Sequence, residues 1–128
     1  MKLKPPFSAR KLGHEFEQLA LTFLLGKGLR LVCKNFQTRQ GEIDLVMKDH
    51  TYLVFVEVRY RKYGRHGSAL ETVNYHKQQK IIRSAKIFLH SRGLTEKEQC
   101  RFDVVGIVEK KGTKEISWIK NAFEQTIS

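Results

Sequence analysis

The run from Gly41 to Lys62, GEIDLVMKDHTYLVFVEVRYRK, sets carboxylates inside two apolar stretches. Asp44 lies in the first and Glu57 in the second, and Arg59 follows two residues after Glu57. Charges inside strands destined for a core are costly unless something compensates them. Side chains alternate along a strand. Glu57 and Arg59 therefore share a face with Leu53 and Phe55, while Val54, Val56 and Val58 take the other. A hairpin folded symmetrically about the His50–Thr51 bond sets Asp44 opposite Glu57, with Cβ atoms about 5 Å apart. Two like charges that close repel, and burial strengthens the repulsion. Two arrangements relieve it. Either Arg59 pairs with one carboxylate as a structural salt bridge, or a divalent cation sits between the two. Mg²⁺ takes sites of one or two carboxylates completed by water and phosphate oxygens. Such an ion polarises a phosphate and activates water, which is the chemistry of phosphodiester hydrolysis. A register slip of one residue would instead send the two carboxylates to opposite faces.

The elements that must hold these residues follow from periodicity. Residues 1–7, with Pro5-Pro6, read as a flexible lead, and residues 8–128 as a single domain of ordinary size. Ser8 is placed to cap a helix running to about Lys27 and stopped by Gly28. Leu12, Phe16, Leu19, Ala20, Phe23 and Leu24 form its apolar stripe, with Glu17 at the margin. Strands are expected at 29–36, 42–47, 51–60, 101–108 and 116–120, with a basic, Gly-rich loop over 61–70. A second helix is expected over Thr72–Ser91. Its stripe is Ile81, Ile82, Ala85, Phe88 and Leu89, with Lys77 at the margin and Lys80, Arg83 and Lys86 facing away. The order α-β-β-β-α-β-β predicts an α/β fold with a central mixed five-stranded sheet flanked by helices. Continuous apolar runs on the middle strands fit a sheet covered on both faces.

The formal net charge of +11 favours polyanionic partners, nucleic acid before anionic membrane. The N-terminus lacks the apolar core of a secretory signal, and no uncharged run approaches the ~20 residues that span a bilayer. Cys33 and Cys100 match no metal spacing, so a reducing, cytoplasmic setting is expected, with Cys33 in the core. The five histidines fit no zinc pattern and read as surface residues. In RYRKYGRH, Arg59, Arg61, Lys62 and Arg65 could track phosphates while Tyr60 or Tyr63 stacks on a base; a solvated basic loop is the plainer reading. Asp103 reads as a structural partner of Arg101 or another base before a support for the site from a neighbouring strand, Glu42 as an exposed strand start before an outer ligand, and Trp118 as core or a cap on the sheet.

GEIDLV, VFVEVRYR and RFDVV, preceded by the helix GHEFEQLALTFLLGKGL, resemble the YraN family from about Gly13 to Phe123. That small bacterial group is described as endonucleases of the PD-(D/E)xK, restriction-endonuclease-like superfamily, similar to archaeal Holliday-junction resolvases. The resemblance implies Asp44, Glu57, the Val58 carbonyl and Glu17 as ligands of Mg²⁺ or Mn²⁺, and Lys77 as the family's lysine of the second helix. It also implies a DNA substrate of branched or damaged form. Lys77 and Lys80 join the arginines as phosphate contacts, and a junction-cutting enzyme would act as a homodimer. The chain departs from the pattern at Arg59, where the motif has lysine. Arginine does not give up its proton, so Arg59 can orient water or phosphate but cannot be a general base; Lys77 is the candidate substitute. Two other classes stay open, a nucleic-acid-binding module without turnover and a protein-interaction scaffold.

Overall fold

The computed structural model describes residues 7–63, 68–95 and 98–124, with side chains from residue 13 onward. The chain runs α1 (Phe7–Gly26), β1 (Arg30–Thr38), β2 (Gly41–Asp49), β3 (Tyr52–Lys62), a 3₁₀ turn (Leu70–Thr72), α2 (Tyr75–Ser91), β4 (Cys100–Lys110) and β5 (Thr113–Phe123). The expected order and the mixed five-stranded sheet are both observed. The strands lie in the order β1-β2-β3-β4-β5. Only β3 and β4 are parallel, and α2 is the crossover that a parallel pair requires.

One helix covers each face. Phe16, Ala20, Leu21 and Leu24 of α1 pack on Leu45, Met47, Val54, Val56, Val105 and Ile107. The predicted stripe of α2 packs on Val46, Leu53, Phe55, Phe102 and Val104. Leu45–Met47, Leu53–Val56 and Phe102–Ile107 are therefore buried without alternation, as two-sided cover demands. The outer strand β1 is mostly exposed, and Cys33 is half-buried at the rim of the core rather than within it. Both cysteines are free thiols.

Several boundaries differ from expectation. Helix α1 already includes Phe7, so Ser8 lies inside it; the side chain of Leu12 and residues 1–6 lie outside what is described. Helix α2 starts at Tyr75, because Asn74 accepts the Lys77 N–H at 2.8 Å and caps it. Strand β3 runs on to Lys62, and residues 64–67 of the expected loop, Arg65 among them, lie outside the described residues. The β4–β5 turn is Lys111-Gly112, both with positive φ, as a type I′ hairpin requires.

Asp103 is fully buried at a register irregularity between Phe102 and Val104. It accepts hydrogen bonds from Trp118 Nε1 and the Asn121 N–H, both at 2.9 Å, and from Arg101 Nε at 3.1 Å. Arg101 also meets Asp49 at 2.8 Å. Asp103 thus ties β5 across the irregularity in β4, the structural role expected of it. Among the described residues, no helix is long and apolar enough to cross a membrane.

Candidate active site

Strands β2 and β3 pair from Asp49↔Tyr52 to Leu45↔Val56, the register expected from a turn at His50–Thr51. There the paired run ends and the strands fork. Asp44 and Glu57 are the next residues on either side, so they stand at the mouth of the fork. The Val58 N–H donates to Asp44 Oδ2 at 2.8 Å. The N–H and C=O of one residue in an extended strand point to the same side, so the Val58 carbonyl faces the fork too.

Strand β2 breaks its alternation at this place. Ile43 and Val46 both pack on the α2 side, whereas Leu45 and Met47 pack on the α1 side. Asp44 and Leu45 are thereby turned the same way, which carries Asp44 toward helix α1. Carboxylate oxygens of Glu17, Glu42 and Asp44 lie within 4.8 Å of one another. Across the β1–β2 ladder the pairs run Lys34↔Leu45 and Phe36↔Ile43, passing over Asn35 and Asp44. Asn35 takes the left-handed conformation, φ +52°, and its side chain hydrogen-bonds Glu17. A cleft of about 330 Å³ lined by His14, Glu17, Asn35, Gln37 and Glu42 opens beside the cluster.

Glu57 stands beside Asp44 and reaches toward α2. It is 4% exposed. Its Oε2 meets Arg59 Nη1 at 3.3 Å and Lys77 Nζ at 3.6 Å. Arg59 is fixed by the 3₁₀ turn, with Nε donating to Thr72 Oγ1 at 2.9 Å and Nη2 to the Thr72 carbonyl at 3.2 Å. The salt bridge foreseen as one way to relieve the carboxylates therefore exists, on Glu57. The second carboxylate, Asp44, stays among acids. Burial first, then the neighbouring Glu57 and Glu17, pushes the Asp44 carboxyl up to about 8, against the opposing Val58 N–H. Burial and Glu42 likewise raise Glu17, against the bond from Asn35 and the nearby His14.

The fold thus brings Glu17, Asp44, Glu57, Val58, Arg59 and Lys77 to one place. The remaining basic candidates are spread around it. Arg61 is half-buried further along β3, Lys62 is exposed at its end, and the stem of Lys80 passes the start of β2 at Gly41. Two readings change. Tyr60 stacks on Phe16, ring centroids 3.9 Å apart, so that face of its ring is closed to a base. Glu42 is half-buried in the acidic cluster, not an exposed strand start. Asn35 was not foreseen at all. Its one signal is an asparagine within an otherwise strand-like run, a residue depleted in strands and enriched at positive φ.

A family model described as Uncharacterised protein family UPF0102 matches residues 16–107. This chain belongs to the UPF0102 family. Two UPF0102 proteins illustrate the match. That of Nitrosococcus oceani is 45% identical, covering 92% of this chain and 95% of its own. That of Stutzerimonas stutzeri is 50% identical, covering 88% and 93%. The span matched by the UPF0102 model includes Glu17, Asn35, Glu42, Asp44, Glu57, Arg59 and Lys77. Among solved structures, SfsA of Pyrococcus furiosus in complex with Ca²⁺ aligns with a TM-score of 0.37 at 13% identity. That alignment covers 88% of this chain and 63% of SfsA.

Proposed function

We propose that this UPF0102 protein is a cytoplasmic, metal-dependent endonuclease that hydrolyses phosphodiester bonds of DNA, with branched or damaged DNA as the substrate class and a homodimer as the acting form. The observation that carries the reading is the gathering of Glu17, Glu42 and Asp44 within 4.8 Å, on the flank of a buried Glu57 held by Arg59 and Lys77. The resemblance to the YraN group and to restriction-endonuclease-like enzymes supports the same reading. The donor set fits the ion: hard carboxylate oxygens suit Mg²⁺ or Mn²⁺. A divalent cation would also offset the burial and the carboxylate repulsion that push the Asp44 carboxyl up.

Asp44, Glu57, the Val58 carbonyl and Glu17 would hold the metal, with Glu42 as a further carboxylate. When bound, Mg²⁺ or Mn²⁺ supplies a Lewis acid for a phosphoryl oxygen and lowers the pKa of coordinated water. The chain's own groups do the rest. Arg59, braced by Thr72, orients a phosphate oxygen or the attacking water and keeps its proton throughout. Lys77, an amine that can exchange its proton, stands beside Glu57. Arg61, Lys62 and Lys80 extend the positive surface along which a phosphate backbone would run.

A second reading, a binding module without turnover, draws on Arg59. All three guanidinium nitrogens donate within the protein, to Glu57 and Thr72, as a purely structural cation would. One experiment separates the two. Mn²⁺ and Mg²⁺ are titrated by calorimetry into wild type and an Asp44→Asn, Glu57→Gln double variant, and the same samples are incubated with branched and linear DNA. The nuclease reading expects metal binding lost in the variant and metal-dependent cutting by wild type. DNA binding without metal uptake or cutting, weakening steeply with salt, would replace it with the binding module. Neither DNA nor metal binding would leave the scaffold.

A further inference from the structure

At the far end of β3 the chain builds a second feature that the acidic cluster does not use. The Tyr63 N–H donates to the Glu109 carbonyl at 3.0 Å, continuing the β3–β4 ladder by one residue and fixing Tyr63 to the sheet. Tyr63 is nevertheless 63% exposed. Lys110 Nζ stands 4.3 Å from the ring centroid. A cleft of about 480 Å³ lies here, with Tyr60, Lys62, Tyr63, Lys110 and Lys111 in its wall. Glu109 is the one carboxylate among the described lining residues. It accepts from the Tyr60 hydroxyl at 3.3 Å and stands opposite Lys114 on β5, so three lysines dominate the cleft. Lys110 and Lys111 sit on a tight hairpin, and Lys62 ends β3. Lys111 adopts φ +47°, a conformation that this turn usually gives to asparagine, aspartate or glycine. A lysine there is a costly choice for the backbone and a useful one for an anion.

We propose that this cleft is a subsite for an unpaired nucleotide: the base stacks on Tyr63 while Lys62, Lys110 and Lys111 take the flanking phosphates. The subsite rests on the reading of this protein as a DNA-binding enzyme, and it adds a substrate requirement to that reading. Six residues of extended chain separate Glu57 from Tyr63, roughly 20 Å at the rise of a strand. That distance equals about six nucleotide steps of B-form DNA. Tyr60 joins the two regions, since its ring stacks on Phe16, the neighbour of Glu17. A duplex whose strand opens about six nucleotides from the cut would occupy both places at once.

The test uses fluorescence anisotropy in excess EDTA, so that binding is read without cleavage. The probes are a duplex with a single-stranded flap and a blunt duplex of equal length. Wild type is compared with Tyr63→Ala, Tyr63→Phe and a Lys110→Ala, Lys111→Asn double variant, in which asparagine suits the turn. Tyr63→Ala should weaken flap binding about 5- to 100-fold, leave the blunt duplex nearly unchanged, and be rescued by Tyr63→Phe. The double lysine variant should reduce the salt slope for the flap by about 1.4. Equal flap affinity for wild type and Tyr63→Ala would overturn the subsite alone. Wild type that binds neither DNA would overturn the nucleic-acid reading and the subsite with it.

Discussion

Replacing Asp44 by asparagine should make the metal-free protein more stable at neutral and alkaline pH. The Asp44 carboxyl ordinarily titrates near 3.8 but is pushed up to about 8 in the fold. Between those values the folded chain holds a proton that the unfolded chain has lost. Stability contributed by this group is therefore complete below about pH 4 and is lost as pH rises toward 8, at up to about 1.4 kcal/mol per pH unit. Relaxation of the site reduces the full sum, leaving about 2–3 kcal/mol between pH 5 and 8. The asparagine of this variant would keep the size of the side chain and the acceptor for the Val58 N–H. It would also donate to Glu57 instead of repelling it. In EDTA, thermal melts followed by circular dichroism should show wild type and variant close together at about pH 5. Near pH 8 the variant should melt roughly 5–15 °C higher. Saturating Mn²⁺ should reverse the order, since a ligand at 1,000 times its Kd adds about 4.1 kcal/mol to the form that binds it. Parallel melts of the two proteins across the whole range would refute the reasoning, because Asp44 would then not be held neutral by burial and Glu57.

Three further outcomes are expected. Asn35→Gly keeps a residue at ease with φ +52° but removes the bond to Glu17; calorimetry should find Mn²⁺ affinity reduced several-fold while stability changes by less than about 1 kcal/mol, and unchanged affinity would deny Asn35 a part in the site. Gly106→Ala sets a Cβ 2.5 Å from Ala69 Cβ and 2.9 Å from Ser117 Oγ, so urea unfolding should find a loss of about 1–3 kcal/mol from overpacking. Asp103→Ala strips the fully buried acceptor from Arg101, Trp118 and Asn121 and should cost about 3–5 kcal/mol, with a changed Trp118 emission; a loss under about 1 kcal/mol would mean that the network relaxes freely.

The hairpin that carries Asp44 and Glu57 was legible because two rules agree on it. A two-residue polar turn at His50–Thr51 and apolar runs on both sides leave one register that buries Val46 and Phe55. The two helices were legible from their stripes, whereas the role of α2 as the crossover of a parallel β3–β4 pair is read from the structure. What strict alternation could not supply is the fork. It treats Glu42 and Asp44 as ordinary strand residues, whereas the break between Asp44 and Leu45 turns Asp44 toward Glu17. The left-handed Asn35 beside it is a single-residue event in β1, invisible to any periodic pattern. Tyr60 was misjudged for a related reason: its sequence neighbours are basic, but its ring faces α1 and meets Phe16.

The chain connectivity also fixes when these charges first meet. Glu17, Glu42, Asp44 and Glu57 all belong to the first 57 residues. There the strands join through tight turns, and paired residues are at most 18 apart, as Arg30 and Lys48 are. The parallel β3–β4 ladder instead joins residues 47 apart, such as Leu53 and Cys100. Closing that longer loop costs about 1 kcal/mol more than closing the 18-residue separation of Arg30 and Lys48. Lys77 arrives only with it, on α2. The meander that assembles the carboxylates thus forms with Arg59 as the cation on Glu57 and none yet from α2, so acid or a divalent cation should act mainly on the refolding limb of a chevron and little on the unfolding limb. Speed of assembly, and not only the chemistry of the finished site, is set by the crowding of acids at the fork.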